Sequence, residues 1–518
     1  MMVFLPNLLV LALAVSTATA YSVGQTVKTS SGQISGHASA WQGEVSEYLG
    51  IPFAKPPVKD LRFAPPEPFR SSGAVNATKF GPSCPANVGT APYSNSSIDY
   101  SSPLTAIMGV QSQFGDVFDE DCLTLNVWTK PQSGEKAKAV MLWVYGGGFN
   151  SGNTASPAYN GARLANEMDV IVVSVNYRVN LFGFPPAPFL PSMNVGLLDI
   201  RLAIEWVRDN IAAFSGDPTR ITLFGQSAGA GAVDGYAYSW PDDPIVHAFI
   251  PESGTVAIGS HEGDVEGWYK VSEKVGCGGK DKGEETLSCM RAKTWQELLP
   301  PQKADPTAPG SRIRYGPIAD GKLIFSDYQA LNREGRFAKR PLLVGNTNNE
   351  NGLGTPGKGN VTIQRPLTSY NLTTRAPLSI TIACGTQFAA AARAAHGVPV
   401  WRYLYEGDYP NQNLGGWGAW HGSEIAMVFG TAELVSRMPD TENERTMSHV
   451  MMVAWTEFAK DPVEGWKRMN WPSYDPEKET VVKIGGKDSS KVEFVGRGVN
   501  DDSCPKDGLE GFLLPTGS

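Results

Sequence analysis

The chain has 518 residues, 41% apolar and 19% charged, enough to bury a large core and too apolar for a disordered polyelectrolyte. Its 44 Lys and Arg against 52 Asp and Glu leave a formal charge of -8, which excludes a global basic footprint for nucleic acid and gives no reason to expect a polybasic membrane binder. At roughly 150 residues per domain the length alone allows about three domains.

Residues 1–20 carry no ionisable side chain; they hold an apolar run from Leu8 to Val15 and then Ala18-Thr19-Ala20. This pattern predicts a secretory signal cleaved after Ala20, the run being too short to cross a bilayer. Gly508 to Ser518 has neither a GPI-type tail nor a retention tetrapeptide. The mature chain is therefore expected to be exported, extracellular and without a membrane anchor.

Residues 21–55 read as an antiparallel β edge. Sequons at Asn76, Asn95, Asn360 and Asn371 are glycosylation candidates. Six cysteines, with no C-x-x-C, fit a disulfide framework and not a zinc site. Sequence proximity pairs Cys277 with Cys289 and Cys84 with Cys122, leaving Cys384 with Cys504, although six cysteines allow fifteen connectivities.

Val140 to Tyr145 is a buried-strand run that ends in three glycines, and Val170 to Val175 is a second. Leu198, Leu202, Trp206 and Ile211 recur with a helical period. Ile221 to Phe224 is a third strand, Leu342 to Val344 a fourth and Val400 to Tyr405 a fifth. Strands alternating with helices predict an α/β fold around a mostly parallel central sheet.

Gly225-Gln226-Ser227-Ala228-Gly229 follows the strand at 221–224. Its G-x-S-x-G spacing suits a serine on a sharp strand-to-helix turn, where flanking side chains would collide with neighbouring strands. A serine nucleophile needs a base, and the oxyanion it creates needs donors. Tyr145-Gly146-Gly147-Gly148-Phe149 is placed to supply backbone N–H groups.

Among six histidines, His37 precedes the sheet, while His247 and His261 follow the serine too closely for an acid-bearing strand to intervene. His396 and His449 sit in helical patterns. His421 lies in the Gly/Trp loop 415–422 beyond the strand 400–405, where a base is expected. The acid is either Glu350, beyond the strand 342–344, or Asp320, which precedes Gly321 and reads as a turn residue; Glu350 is favoured.

These residues resemble the type B carboxylesterases, a family that includes cholinesterases and fungal secreted esterases and lipases. The resemblance runs through Tyr48 to Ala54, Glu120 to Val127, Asn194 to Asp199, the serine motif, and Ala419 to Glu424. It implies an α/β-hydrolase fold and a catalytic triad of Ser227, His421 and Glu350. Gly147, Gly148 and Ala228 are then the oxyanion donors, and no cofactor or metal is expected. It supports the three cysteine pairs and suggests structural ion pairs of Arg62 with Glu120 and Arg178 with Asp199. Departures include Gln226 where Glu is commoner beside the nucleophile, and Asn351 between Glu350 and Gly352. The segment 84–122 has no tryptophan, which argues against a quaternary ammonium substrate held by cation–π contact.

The reading is a secreted serine hydrolase that cleaves small-molecule carboxylic esters through an acyl-enzyme. The alternatives are a lipase acting on long-chain acylglycerols or sterol esters, and a non-catalytic cholinesterase-like binding protein. Tyr93, Tyr100, Phe114 and Phe118 are candidate walls of the substrate gorge. Because one site draws on residues from 147 to 421, a single domain over 21–518 replaces the three that length allowed.

Overall fold

The computed structural model describes residues 21–87, 103–111, 113, 115–258, 265–303, 313, 315–350, 378–414, 418–502 and 504. The signal segment, Tyr93, Tyr100, Phe114, His261, Asn95, Asn360, Asn371 and Gly415 to Trp417 lie outside the described residues.

Fourteen strands occur among the described residues: β1 Val27–Thr29, β2 Gly32–Ser35, β3 His37–Ala38, β4 Ser46–Pro52, β5 Ala74–Asn76, β6 Thr124–Thr129, β7 Lys138–Val144, β8 Ile171–Val175, β9 Gly216–Gln226, β10 Ala248–Glu252, β11 Leu342–Thr347, β12 Val400–Tyr405, β13 Val481–Ile484 and β14 Val492–Val495. β1, β2 and β5 form a small sheet, and the other eleven form one large sheet in the order β14-β13-β12-β11-β10-β9-β7-β8-β6-β4-β3. From β13 to β8 every neighbouring pair is parallel. β3, β4 and β6 add the antiparallel edge expected near the N-terminus, and β14 closes the far edge antiparallel. This is the α/β-hydrolase arrangement.

The central strands are mostly apolar because helices cover both faces, and Arg402, which β12 buries, is paired with Asp501. All seven residues of β7, all five of β8 and all six of β12 are buried. The helix Ala228–Ser239 packs on β9 and β10, Leu378–Ala395 on β11 and β12, and Glu442–Lys460 on β7 and β9. β10 is the central strand that the sequence patterning did not find. It is only five residues long and contains Pro251, which cannot donate to a ladder and so reads as a strand breaker.

Three disulfides cross-link the chain, Cys84–Cys122, Cys277–Cys289 and Cys384–Cys504. The first closes the segment that enters β6, which pairs with β8 on one side and β4 on the other. The last joins the helix Leu378–Ala395 to the chain beyond β14, a sequence separation of 120. In the chain-entropy model a loop of that order is worth about 4.7 kcal/mol.

Two buried arginines fix the loops around these strands. Arg62 Nε donates to Glu120 Oε1 at 2.6 Å, and Arg178 Nε and Nη2 grip Asp199 at 2.8 and 2.7 Å. Both pairs are almost fully buried. Their donors are spent on carboxylates and carbonyls of the same fold, which leaves them no substrate to anchor.

Candidate active site

The functional loops leave the C-terminal ends of five consecutive strands of the large sheet, β7, β9, β10, β11 and β12, the edge at which open α/β sheets place their ligands. Ser227 follows β9 directly and caps the helix Ala228–Ser239 with φ +59° and ψ −124°. A non-glycine residue at positive φ is strained, and its neighbours must hold it there. Ser227 N–H donates to Glu252 O at 2.9 Å, and its carbonyl accepts from Gly231 N–H at 2.9 Å. The flanking glycines let the end of β7 pass close by. A Cβ on Gly225 would stand 2.5 Å from Val144 O, and one on Gly229 would stand 2.1 Å from it.

The loop after β7 carries the donor candidates. Gly147 and Gly148 are exposed, with φ +119° and +61°. Gly146 lies against the nucleophile: a Cβ there would be 2.9 Å from Ser227 Cβ. Tyr145 anchors the loop, because its hydroxyl donates to Tyr177 O at 3.0 Å while the Tyr177 hydroxyl donates to Tyr145 O at 3.0 Å. Among the described residues the N–H groups of Gly147, Gly148 and Ala228 donate to no other group.

His421 Nε2 lies 2.8 Å from Ser227 Oγ, and its Nδ1 bonds to Glu350 Oε2. The other Glu350 oxygen accepts the Thr347 N–H at 2.7 Å, which fixes the carboxylate. The two loops are also joined by backbone: Asn349 N–H donates to Ala419 O at 3.1 Å, and Asn349 and Trp420 form an isolated parallel bridge. Burial opposes the imidazolium, but the Glu350 carboxylate beside it outweighs that and holds His421 above its ordinary value.

The rival residues are engaged elsewhere. Asp320 Oδ1 accepts three backbone N–H groups, from Lys322, Leu323 and Ile324, and its Oδ2 accepts from Asn194. It is a turn residue. His396 Nε2 meets Asn332 O at 2.8 Å, and His449 is exposed on its helix. Phe118, the one candidate wall residue among those described, is half-buried and packs on the main core.

Of the polar groups beneath the site, Glu424 closes the block Ala419 to Glu424, whereas Ser253 and Glu252 belong to no motif. Ser253, at φ +51°, follows β10 and donates its hydroxyl to Glu424 Oε1 at 2.6 Å. Glu424 is fully buried, and burial together with the Glu350 charge pushes its carboxyl up to about 7. Glu252 is also fully buried; burial and then the Glu424 charge raise it well above the usual carboxylate range, while Trp455 Nε1 donates to it at 2.7 Å. Ser253 and Glu424 are 171 residues apart, so no local pattern joins them. Gln226, which stands beside the serine where Glu is commoner, places its Nε2 3.2 Å from His421 Nε2.

The carboxylesterase family model matches residues 23–362 and 364–496. A chlorogenic acid esterase of Aspergillus niger is 36% identical over 93% of this chain and 94% of its own length. Secreted lipase 5 of Gibberella zeae is 33% identical over 93% and 94%. An acetylcholinesterase of Bungarus fasciatus is 30% identical over 88% and 82%. The chain belongs to the carboxylesterase family and is a carboxylic ester hydrolase.

Proposed function

We propose that this carboxylesterase-family chain is a secreted serine esterase that works through an acyl-enzyme on small-molecule esters. The observation that carries the reading is the contact of Ser227 Oγ with His421 Nε2 at 2.8 Å, backed by Glu350 on Nδ1.

Ser227 attacks the ester carbonyl as His421 Nε2 takes the hydroxyl proton. The carbonyl oxygen becomes an oxyanion, and the N–H groups of Gly147, Gly148 and Ala228 receive it. Glu350 keeps the proton of the resting imidazole on Nδ1, which leaves the Nε2 lone pair for the serine, and then stabilises the imidazolium. His421 returns the proton to the departing alcohol. Water, activated by the same nitrogen, attacks the acyl-enzyme, and the acid leaves with Ser227 restored. All of these steps use side chains and backbone of this chain.

Export rests on the segment 1–20 cut after Ala20, on three disulfides, and on the likeness to a secreted lipase. Asn76, exposed at the end of β5, is the described sequon open to a glycan. One domain over 21–518 fits a sheet whose strands run from His37 to Val495.

The test is pre-steady-state kinetics with a chromogenic acetate ester. A burst of alcohol stoichiometric with enzyme, absent in Ser227→Ala, is expected. Steady turnover by Ser227→Ala at the wild-type rate would refute the mechanism. The likeness to a lipase motivates a second reading, and activity that rises only when a long-chain ester is emulsified would favour it.

A further inference from the structure

Gln226 spans the two halves of the site. It is 5% exposed. Its Nε2 lies 3.2 Å from His421 Nε2, the ring nitrogen that meets Ser227 Oγ at 2.8 Å. The other end of the amide faces the donor loop, where a Cβ on Gly146 would stand 3.1 Å from Gln226 Oε1. The turn at Gly422 passes the amide as well, since a Cβ there would be 3.5 Å from Nε2. The side chain therefore reaches from the oxyanion loop to the histidine turn and touches the atom through which the base works.

An amide offers that atom something neither a carboxylate nor an alkyl group can. It has an N–H donor and a carbonyl acceptor at opposite ends of one rotatable plane. His421 Nε2 changes character during the reaction. In the resting base it carries a lone pair and accepts. After it takes the serine proton it is an N–H and repels a donor in front of it. An amide can serve both states by turning over, whereas a carboxylate suits only the imidazolium and an alkyl group suits neither.

We propose that Gln226 is a positioning residue for His421: its amide N–H shares the Nε2 lone pair of the neutral imidazole with the Ser227 hydroxyl as the longer arm of a three-centre bond, and its carbonyl oxygen shares the Nε2–H of the imidazolium with the leaving alcohol. No bond to Gln226 forms or breaks. The proton moves from Ser227 Oγ to His421 Nε2 and on to the leaving alcohol, and Gln226 keeps its own two amide protons throughout. Because the amide is uncharged, Glu350 remains the one carboxylate that bonds to the imidazole among the described residues.

The inference rests on the reading of Ser227 and His421 as nucleophile and base, and the test keeps the two apart. Gln226→Leu and Gln226→Glu are compared with the full-length wild type in kcat, KM and the pH profile of kcat/KM for an uncharged acetate ester. Rates are normalised to burst amplitude, so that only assembled sites are counted. Loss of one neutral hydrogen bond corresponds to roughly a fivefold to tenfold fall in kcat for Gln226→Leu, with KM unchanged within about twofold. Gln226→Glu should raise the acid limb by about one pH unit, since it sets a carboxylate against the imidazole. It should restore plateau kcat to within about threefold of wild type by supplying the acceptor. A Gln226→Leu enzyme that turns over at the wild-type rate overturns the inference, and so does a Gln226→Glu enzyme with an unmoved acid limb. If the wild type itself gives no burst, the Ser227 mechanism fails instead.

Discussion

The two halves of the site are built in different ways. The nucleophile half is held by backbone, although its donor loop and its serine stand farther apart in the chain than Glu350 and His421 do and meet because β7 and β9 are parallel neighbours. Ser227, its helix and the donor loop are fixed by backbone conformations that few residues tolerate: φ +59° at Ser227, +119° at Gly147 and +61° at Gly148. The acid–base half is held by side chains. Glu350 and His421 stand 71 residues apart and meet because β11 and β12 are parallel neighbours, with a backbone bridge between Asn349 and Trp420 tying their loops together. Backbone rigidity secures the first half, whereas polar contacts between loops secure the second. Substitutions in the first should therefore act through sterics, and substitutions in the second through charge and hydrogen bonding.

The sharpest break of that contrast is at the acid. Glu350→Gln keeps the shape and removes the charge, and kcat should fall by about 10⁴-fold with little change in Tm. Asp320→Ala, at a turn away from the site, should lower Tm and leave turnover nearly intact. Equal losses in kcat would return the acid to two candidates.

On the nucleophile side the two donor-loop glycines should behave differently. A Cβ on Gly147 would meet Ser151 O at 2.2 Å, so Gly147→Ala must displace the loop and its donors, and a loss of about 10²- to 10³-fold in kcat is expected. A Cβ on Gly148 meets open space, and Gly148→Ala bears only the cost of a left-handed backbone, about 1–2 kcal/mol, read as a lower Tm with kcat within about fivefold. Matching losses in kcat would mean that loop sterics do not govern the donors.

The charge-built half should show in pH. His421 is held above its ordinary 6.5, so the acid limb of kcat/KM should lie above that value in the wild type and move down in Glu350→Gln. A smaller effect concerns stability. The Glu424 carboxyl sits at about 7 in the fold against 4.5 unperturbed. A carboxyl raised by folding gives stability that is complete below the unperturbed value and lost as pH climbs through the folded one. The Tm should therefore decline across that window, and Glu424→Gln should flatten the decline. A Tm that rises over the same window would contradict the assignment.

The difference between the halves also explains what was legible in the sequence. The serine motif, the glycine loop and the strands before them are local patterns, and the five strands legible as apolar runs, β7, β8, β9, β11 and β12, begin or end within a few residues of those runs. His421 and Glu350 could be found because each follows a strong apolar strand. The contact of Ser253 with Glu424 could not, since nothing local links a serine after a short, proline-containing strand to a glutamate 171 residues later. β13 and β14 are four residues each at one end of the sheet, and elements so short draw their identity from pairing partners that only the fold supplies.

Covalent labelling tests the central claim most directly. The wild type, treated with an organophosphate and digested, should carry one phosphoryl adduct on the peptide that contains Ser227. Labelling should slow by orders of magnitude in His421→Ala and vanish in Ser227→Ala, with Tm retained in both. An adduct on any other serine, or labelling that is as fast in His421→Ala as in the wild type, would contradict the Ser227–His421–Glu350 account.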